Sequence, residues 1–208
     1  MNRVILSTST DETILAVTRQ HKLVDLEIEQ QINTEIVGCI YKGVVKNIVP
    51  AVDGIFVDIG IGKNAFLRRK DLLNEKRFPT EGSPILAQVI KSDTDMKGAL
   101  ITEKISMFGK YAVTLSGTGY IGVSKKIRQE SVRKRLKEIG KEICTEHMGL
   151  IIRTAAENAD MDEFRKDITR LKENWDIIQK RFRMEKSPTL LYRESDIIVK
   201  ALRDYVNK

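Results

Sequence analysis

Only two cysteines occur in the 208 residues, Cys39 and Cys144, far apart and with no CxxC pair or clustered histidine beside them. That excludes a disulfide framework and any ordinary structural zinc site within one chain, and both thiols read as buried apolar filler. No uninterrupted apolar run approaches the roughly 18 residues of a membrane span. The N-terminus, MNRVILSTSTDE, passes from a short apolar stretch straight to acids, without the h-region and cleavage site of a signal peptide. A cytosolic protein with no membrane segment is therefore expected. What is present is 41% hydrophobic and 31% charged residues, enough for a real core and against wholesale disorder, in a length that suits one large or two small domains. The net charge of +7 suits a polyanionic partner.

The charge is unevenly spread: residues 1–37 carry −3, whereas 105–188 carry +6. Lys125, Lys126, Arg128, Arg133, Lys134, Arg135 and Lys137 crowd one stretch with only Glu130 opposing them. Such a run is either a solvated helix face or a contact for phosphates.

Three textures follow one another. Residues 1–37 alternate apolar and polar side chains in short runs. In Leu23–Glu29, Leu26 and Ile28 share a face opposite Asp25, Glu27 and Glu29, which predicts a half-exposed strand in a small antiparallel sheet. Residues 38–104 continue with short β-like runs punctuated by Gly43, Gly54, Gly60, Gly62, Gly82 and Gly98, the pattern of a small barrel. Farther on, Leu150-Ile151-Ile152 reads as a buried strand between two helices. Val132, Leu136, Ile139 and Ile143 mark the first; Met161, Phe164, Ile168, Leu171, Trp175, Ile178 and Phe182 mark the second, with Asn158 or Asp160 as N-cap and Ser187-Pro188 as a stop. That aromatic stripe reads as core. A third helix, 194–206, aligns Ile198, Leu202 and Tyr205.

Strand alternation says which way side chains point. In Ile55–Ile59 the three aliphatic residues face one side, and Phe56 shares the other with Asp58; Phe66 likewise falls beside Asn64. Two phenylalanines on a polar face, with Lys42, Lys46, Lys63, Arg68 and Lys97 nearby in sequence, offer what single-stranded nucleic acid needs: flat π surfaces for bases and cations for phosphates. A register shifted by one residue would instead make both rings core.

Gly43-Val44-Val45, Ile48, Gly54, Phe56-Val57-Asp58-Ile59-Gly60, Phe66-Leu67, Gly82, Val89-Ile90 and Lys97-Gly98 with Leu100-Ile101-Thr102 resemble the S1-type RNA-binding module, a five-stranded OB barrel. The flanks are similar to the N-terminal half of bacterial ribonuclease E/G endoribonucleases. These are the opening sheet through Asp25–Glu29 into Gly38–Gly43, the stretch Gly122-Val123-Ser124-Lys125-Lys126-Ile127, the strand Gly149–Ala156 and the end Arg203-Asp204-Tyr205. The resemblance is collinear over the whole chain. It implies an α+β protein: a partial RNase H-like subdomain (1–37, returning at 189–208) interrupted by the barrel (38–104) and followed by an α/β 5′-sensor (105–188).

The resemblance also implies roles. Phe56, Phe66 and Lys97 fall on the barrel's RNA contacts. Arg153 and Thr154 fall on the sensor's grip for a 5′-terminal phosphate, Gly109 and Val113 on pocket residues that act through their backbone, and Lys125 on a basic channel position where arginine is common. Lysine there keeps the charge without the bidentate fork. Independently, a guanidinium at a strand end beside a hydroxyl suits a terminal phosphomonoester, with its three outer oxygens, better than an internal diester. Read from its neighbours alone, Arg153 reads first as a cap on the strand end or a partner of Glu157.

In the family, a magnesium-binding aspartate pair on a DNase I-like domain performs hydrolysis, and a zinc-bound cysteine motif beyond it joins protomers into a homo-oligomer. Both would lie past Lys208, so this chain is expected to have no catalytic residues, no metal ligands and no cofactor of its own, and to be inactive alone. Asp93-Thr94-Asp95 is a polar loop rather than an EF-hand, because Lys97 and Lys104 occupy the fifth and twelfth positions. The expected function is to hold single-stranded RNA and recognise a 5′-monophosphate for a ribonuclease E/G-type enzyme of RNA processing and decay. The alternatives are a stand-alone, non-catalytic or ribosome-associated RNA-binding module, and an enzyme with an unrecognised site.

Overall fold

The computed structural model describes residues 2–10, 12–30, 36–76, 78–94, 97–193 and 201. It divides into two compact units, one of residues 1–36 with 194–208 and one of residues 37–193. The helix expected over 194–206 falls, apart from Ala201, outside the described residues.

The first unit is an antiparallel meander of β1 (Asn2–Thr8), β2 (Glu12–Arg19) and β3 (Lys22–Gln30). Gln20 and His21 turn the β2–β3 hairpin with both φ angles positive, the conformation whose twist suits a two-residue loop. Leu15 and Val17 are buried, with Ala201 and Val4 against them. Leu26 and Ile28, the apolar face of the expected half-exposed strand, are themselves exposed. The pairing Ile14↔Ile28 and Ala16↔Leu26 puts them on the face opposite Leu15 and Val17. Side-chain direction in a sheet is shared across paired strands, so the strand with the buried stripe decides for its neighbour.

The second unit opens with the expected barrel. β4 (Ile40–Val49), β5 (Gly54–Asp58), β6 (Ala65–Arg68), β7 (Pro84–Lys91) and β8 (Leu100–Thr102) run in the order β4-β5-β6-β8-β7, and β4 pairs with β7 to close the ring. Ile55, Val57, Ala65, Leu67, Ile85, Ala87, Val89 and Ile101 fill it, while the alternate residues of β5 and β6 face out.

A second sheet follows: β9 (Ser106–Phe108), β10 (Ala112–Ser116), β11 (Ile121–Val123) and β12 (Met148–Ile152), ordered β11-β12-β10-β9. β11 and β12 are parallel because α1 (Glu130–Ile143) lies between them; the other pairs are antiparallel. α1 and α2 (Met161–Met184) pack on one another and on the sheet, burying Leu136, Ile139, Phe164, Ile168, Leu171 and Ile178 against Ala112, Ile121, Leu150 and Ile152. Asp160 caps α2, its carboxylate accepting from the N–H groups of Asp162 (2.8 Å) and Glu163 (3.2 Å).

Gln88 joins barrel to sheet. Its side chain accepts from the Ser106 N–H (2.9 Å) and donates to the Ser106 and Gly38 carbonyls (2.8 and 2.9 Å). The segment after α2 also returns to the barrel: β13 (Thr189–Tyr192), placed by the sequence reading with the returning subdomain, pairs antiparallel with the start of β4. Arg181 holds it there, donating to the Leu190 and Leu191 carbonyls while paired with Glu185 (2.5 Å). No helix among the described residues is long and apolar enough to cross a membrane.

Candidate nucleic-acid interface

On the barrel, Phe56 and Phe66 are directly opposite in the β5–β6 register, both on the outer face and both half-buried. Their ring centroids lie 5.4 Å apart at an interplanar angle of 50°. The Phe66 ring rests on Gly54, where a Cβ would come within 2.3 Å of it. Only glycine leaves the ring room to lie flat on the sheet.

The surrounding cations divide into spent and available ones. Lys42, expected beside the rings, is buried; its Nζ donates to the Glu185 carbonyl (2.6 Å) and sits 5.1 Å from the Phe182 ring centroid. It belongs to the β4–α2 junction. Lys46 pairs with Asp58 (3.4 Å) and Arg68 with Asp71 (2.5 Å). Lys63 pairs with Asp93 (3.8 Å) and donates to the Thr94 carbonyl (2.9 Å). Lys97 is exposed, exchanges backbone bonds with Thr94 and lies three residues before β8, the strand that pairs with Phe66. Asp95 lies outside the described residues, and these contain no cluster of three or more metal-ligating side chains.

The second group converges at one end of the β11-β12-β10-β9 sheet. β11 and β12 run in parallel and end together, Val123 beside Ile152, and β10 starts at Ala112 opposite Ile152. Arg153, Thr154 and Lys125 therefore emerge where the β9–β10 turn, with Gly109, comes round. The Arg153 guanidinium donates to the Gly109 carbonyl (2.8 Å), and the Arg153 N–H donates to the Tyr111 carbonyl (2.8 Å). Thr154 is exposed, its hydroxyl 3.0 Å from that of Ser124, and Lys125 is exposed next to it in sequence. Val113 lies half-buried one strand in, between Phe108 (46% exposed) and Ile151 (39% exposed) on the face away from the helices.

Charge in the basic run is likewise divided. Arg133 is structural, donating to the carbonyls of Ser124 (2.8 Å), Ile127 (2.9 Å) and Val123 (3.4 Å) and so fixing the loop that carries Lys125. It is not one of the open helix-face cations with which the sequence groups it.

Asp167, on α2, goes unremarked in the sequence and anchors the group. Its buried carboxylate accepts from the N–H groups of Tyr111 (2.8 Å) and Lys110 (3.2 Å) and pairs with Arg170 (3.0 Å). A Cβ at Gly109 would lie 2.4 Å from one of its oxygens. This is the physical reason for glycine at 109. The only signal in the sequence was a lone acid beside the apolar stripe. Nearby, the Tyr111 hydroxyl donates to Glu163 (2.6 Å), and burial, then this bond, push the phenol above its ordinary value. Bonding to that phenol, with Glu163 and Asp167 near, holds the Lys110 ammonium above the usual lysine range, so it stays charged.

The geometry defines a class first: an OB-type barrel with paired outward aromatics, joined through Gln88 to a sheet whose end gathers an arginine, a hydroxyl pair and lysines. Residues 34–102 match the S1 RNA binding domain, and residues 106–208 match the Ribonuclease E/G family. The chain is 33% identical to Ribonuclease G of Escherichia coli (strain K12) over 98% of its own length and 45% of that protein. It is 31% identical to Ribonuclease E of Buchnera aphidicola subsp. Schizaphis graminum over all of its length and 23% of that protein. With Ribonuclease E of Synechocystis sp. the identity is 34%, over 86% of the chain and 28% of that protein. The chain spans less than half the length of these relatives. It belongs to the ribonuclease E/G family.

Proposed function

We propose that the chain is the RNA-holding, 5′-end-reading part of a ribonuclease E/G-type endoribonuclease acting in RNA processing and decay. Bases of a single strand stack on Phe56 and Phe66 while Lys97 meets a phosphate. The 5′-monophosphate sits at the sheet end, against Arg153 and Thr154, with Gly109 and Val113 shaping the pocket and Lys125 supplying charge at its mouth. The observation that carries this reading is the Arg153–Gly109 bond, backed by Asp167: it orients a guanidinium before any ligand arrives. A stand-alone RNA-binding module is disfavoured by collinear similarity to ribonuclease G across nearly the whole chain. Magnesium-dependent cleavage and zinc-linked assembly, which the family resemblance attaches to other segments, draw on no residue of this site.

Fluorescence anisotropy with one oligonucleotide, carrying either a 5′-monophosphate or a 5′-hydroxyl, tests the reading. The phosphorylated strand is expected to bind more tightly by on the order of 1–3 kcal/mol, the worth of charge-assisted bonds a hydroxyl cannot replace. Equal affinity for the two ends refutes the sensor.

A further inference from the structure

A cavity of about 960 Å³ opens where the barrel, the far end of the β10 strand and α2 meet, away from both groups above. Its size is that of a small-ligand site. Glu103, just past β8, stands on its wall, one carboxylate oxygen (Oε2) accepting from the Leu73 N–H (2.9 Å). The other oxygen has no hydrogen-bond partner among the described residues, and burial pushes the carboxyl above its usual range. α2 contributes Trp175, Gln179 and Arg183, one above another at intervals of four, with Lys180 beside them, and His147 faces them from the loop before β12. No ion pair among the described residues engages Lys180 or Arg183, whereas Asp176, also on the lining, is taken by Lys172 (2.7 Å). An aromatic wall, an acceptor and two cations are the parts that read a base, its N–H edge and a phosphate.

We propose that this cavity binds a guanine nucleotide, with the base against Trp175, its N1–H and N2–H on the Glu103 carboxylate, and its phosphate at Lys180 and Arg183. Guanine is the base that offers a carboxylate two adjacent donors. The nucleotide is either free or one unit of a bound strand, and the two sources differ in their test. The site is independent of the 5′-end reading.

Trp175 is the single tryptophan of the chain, so its fluorescence reports on the cavity alone. GMP is expected to quench it saturably, whereas UMP and inorganic phosphate are not. Glu103→Gln keeps an acceptor for the Leu73 N–H but turns an amide towards the base, and should weaken GMP about tenfold. The Lys180→Ala, Arg183→Ala double variant should weaken GMP severalfold and leave guanosine unchanged. If the source is a strand, GMP stays silent and a guanine-containing 5′-hydroxyl oligonucleotide quenches, still with Glu103 dependence. Phe56→Ala with Phe66→Ala leaves the GMP signal intact, which separates this site from the barrel face. Absence of saturable quenching with both probes, or quenching that UMP or Glu103→Gln reproduces in full, overturns the proposal.

Discussion

Gly109→Ala is the most searching perturbation of the proposed sensor, because it adds one methyl group and removes no ligand contact. The new Cβ would stand 2.4 and 2.8 Å from the two Asp167 oxygens and 2.9 Å from the carboxyl carbon. The carboxylate must retreat, and its side chain is only 7% exposed, so the retreat breaks bonds rather than exchanging them for water. Two backbone N–H groups, those of Tyr111 and Lys110, then lose a charged acceptor. At about 1.5–3 kcal/mol for a bond to a charged group, partly recovered by relaxation, the expected loss of stability is roughly 2–4 kcal/mol. For a protein of this size that lowers Tm by roughly 4–16 °C. Displacing the turn also moves the Gly109 carbonyl off the Arg153 guanidinium, so the preference for a 5′-monophosphate should vanish while affinity for a 5′-hydroxyl strand persists. Calorimetry and the paired anisotropy titration read the two effects. Adding Asp167→Ala to Gly109→Ala removes the clash and should cost less than the sum of the single changes. A Gly109→Ala protein that melts within a degree of the wild type and keeps its full 5′ preference would refute the anchoring argument.

Arg153→Ala is expected to erase the 5′-monophosphate preference with little effect on 5′-hydroxyl binding, read by the same titration. Phe56→Ala and Phe66→Ala should each weaken a single-stranded oligonucleotide by roughly 1–3 kcal/mol, with the circular dichroism melt retained because both rings face out; loss of the melt would mean that the rings are core. Lys134→Ala and Arg135→Ala should flatten the salt dependence of binding equally for both 5′ ends, whereas Arg133→Ala should act first on Tm, since it releases three carbonyls. Alkaline titration of tyrosinate absorbance should show Tyr41 and Tyr111 ionising above the ordinary tyrosine value, both raised first by burial. Because their folded values lie above the ordinary 10, the unfolded chain loses those protons first, so stability falls as pH climbs from about 10 through the folded values. Glu163→Gln should change the Tyr111 step and leave that of Tyr41 alone.

Periodicity reaches as far as one strand or helix, and there the sequence alone was decisive. The three-four stripe from Met161 to Phe182 specified α2 and four of its buried residues, and Asp160 served as its cap. The alternation in Ile55–Ile59 put Phe56 outside the barrel, and the same rule put Phe66 beside it. Arg153 and Thr154 stood out as neighbours at a strand end, but local sequence left Arg153 open as a strand cap or a partner of Glu157, and only the family resemblance gave the pair a role. Folding decided what depends on residues distant in the chain. It buried Lys42 under Phe182, committed Arg133 to three carbonyls, and set Asp167 behind Gly109 across 58 positions of sequence. It turned Leu26 and Ile28 outward through the register of β2, and it drew β13 to the barrel through Arg181. The physical division is between directions and partners. Backbone geometry repeats every two or 3.6 residues, so the local sequence carries it. Whether a charge meets solvent, a carbonyl or another charge depends on which surfaces close together, and that is settled only when the whole chain packs.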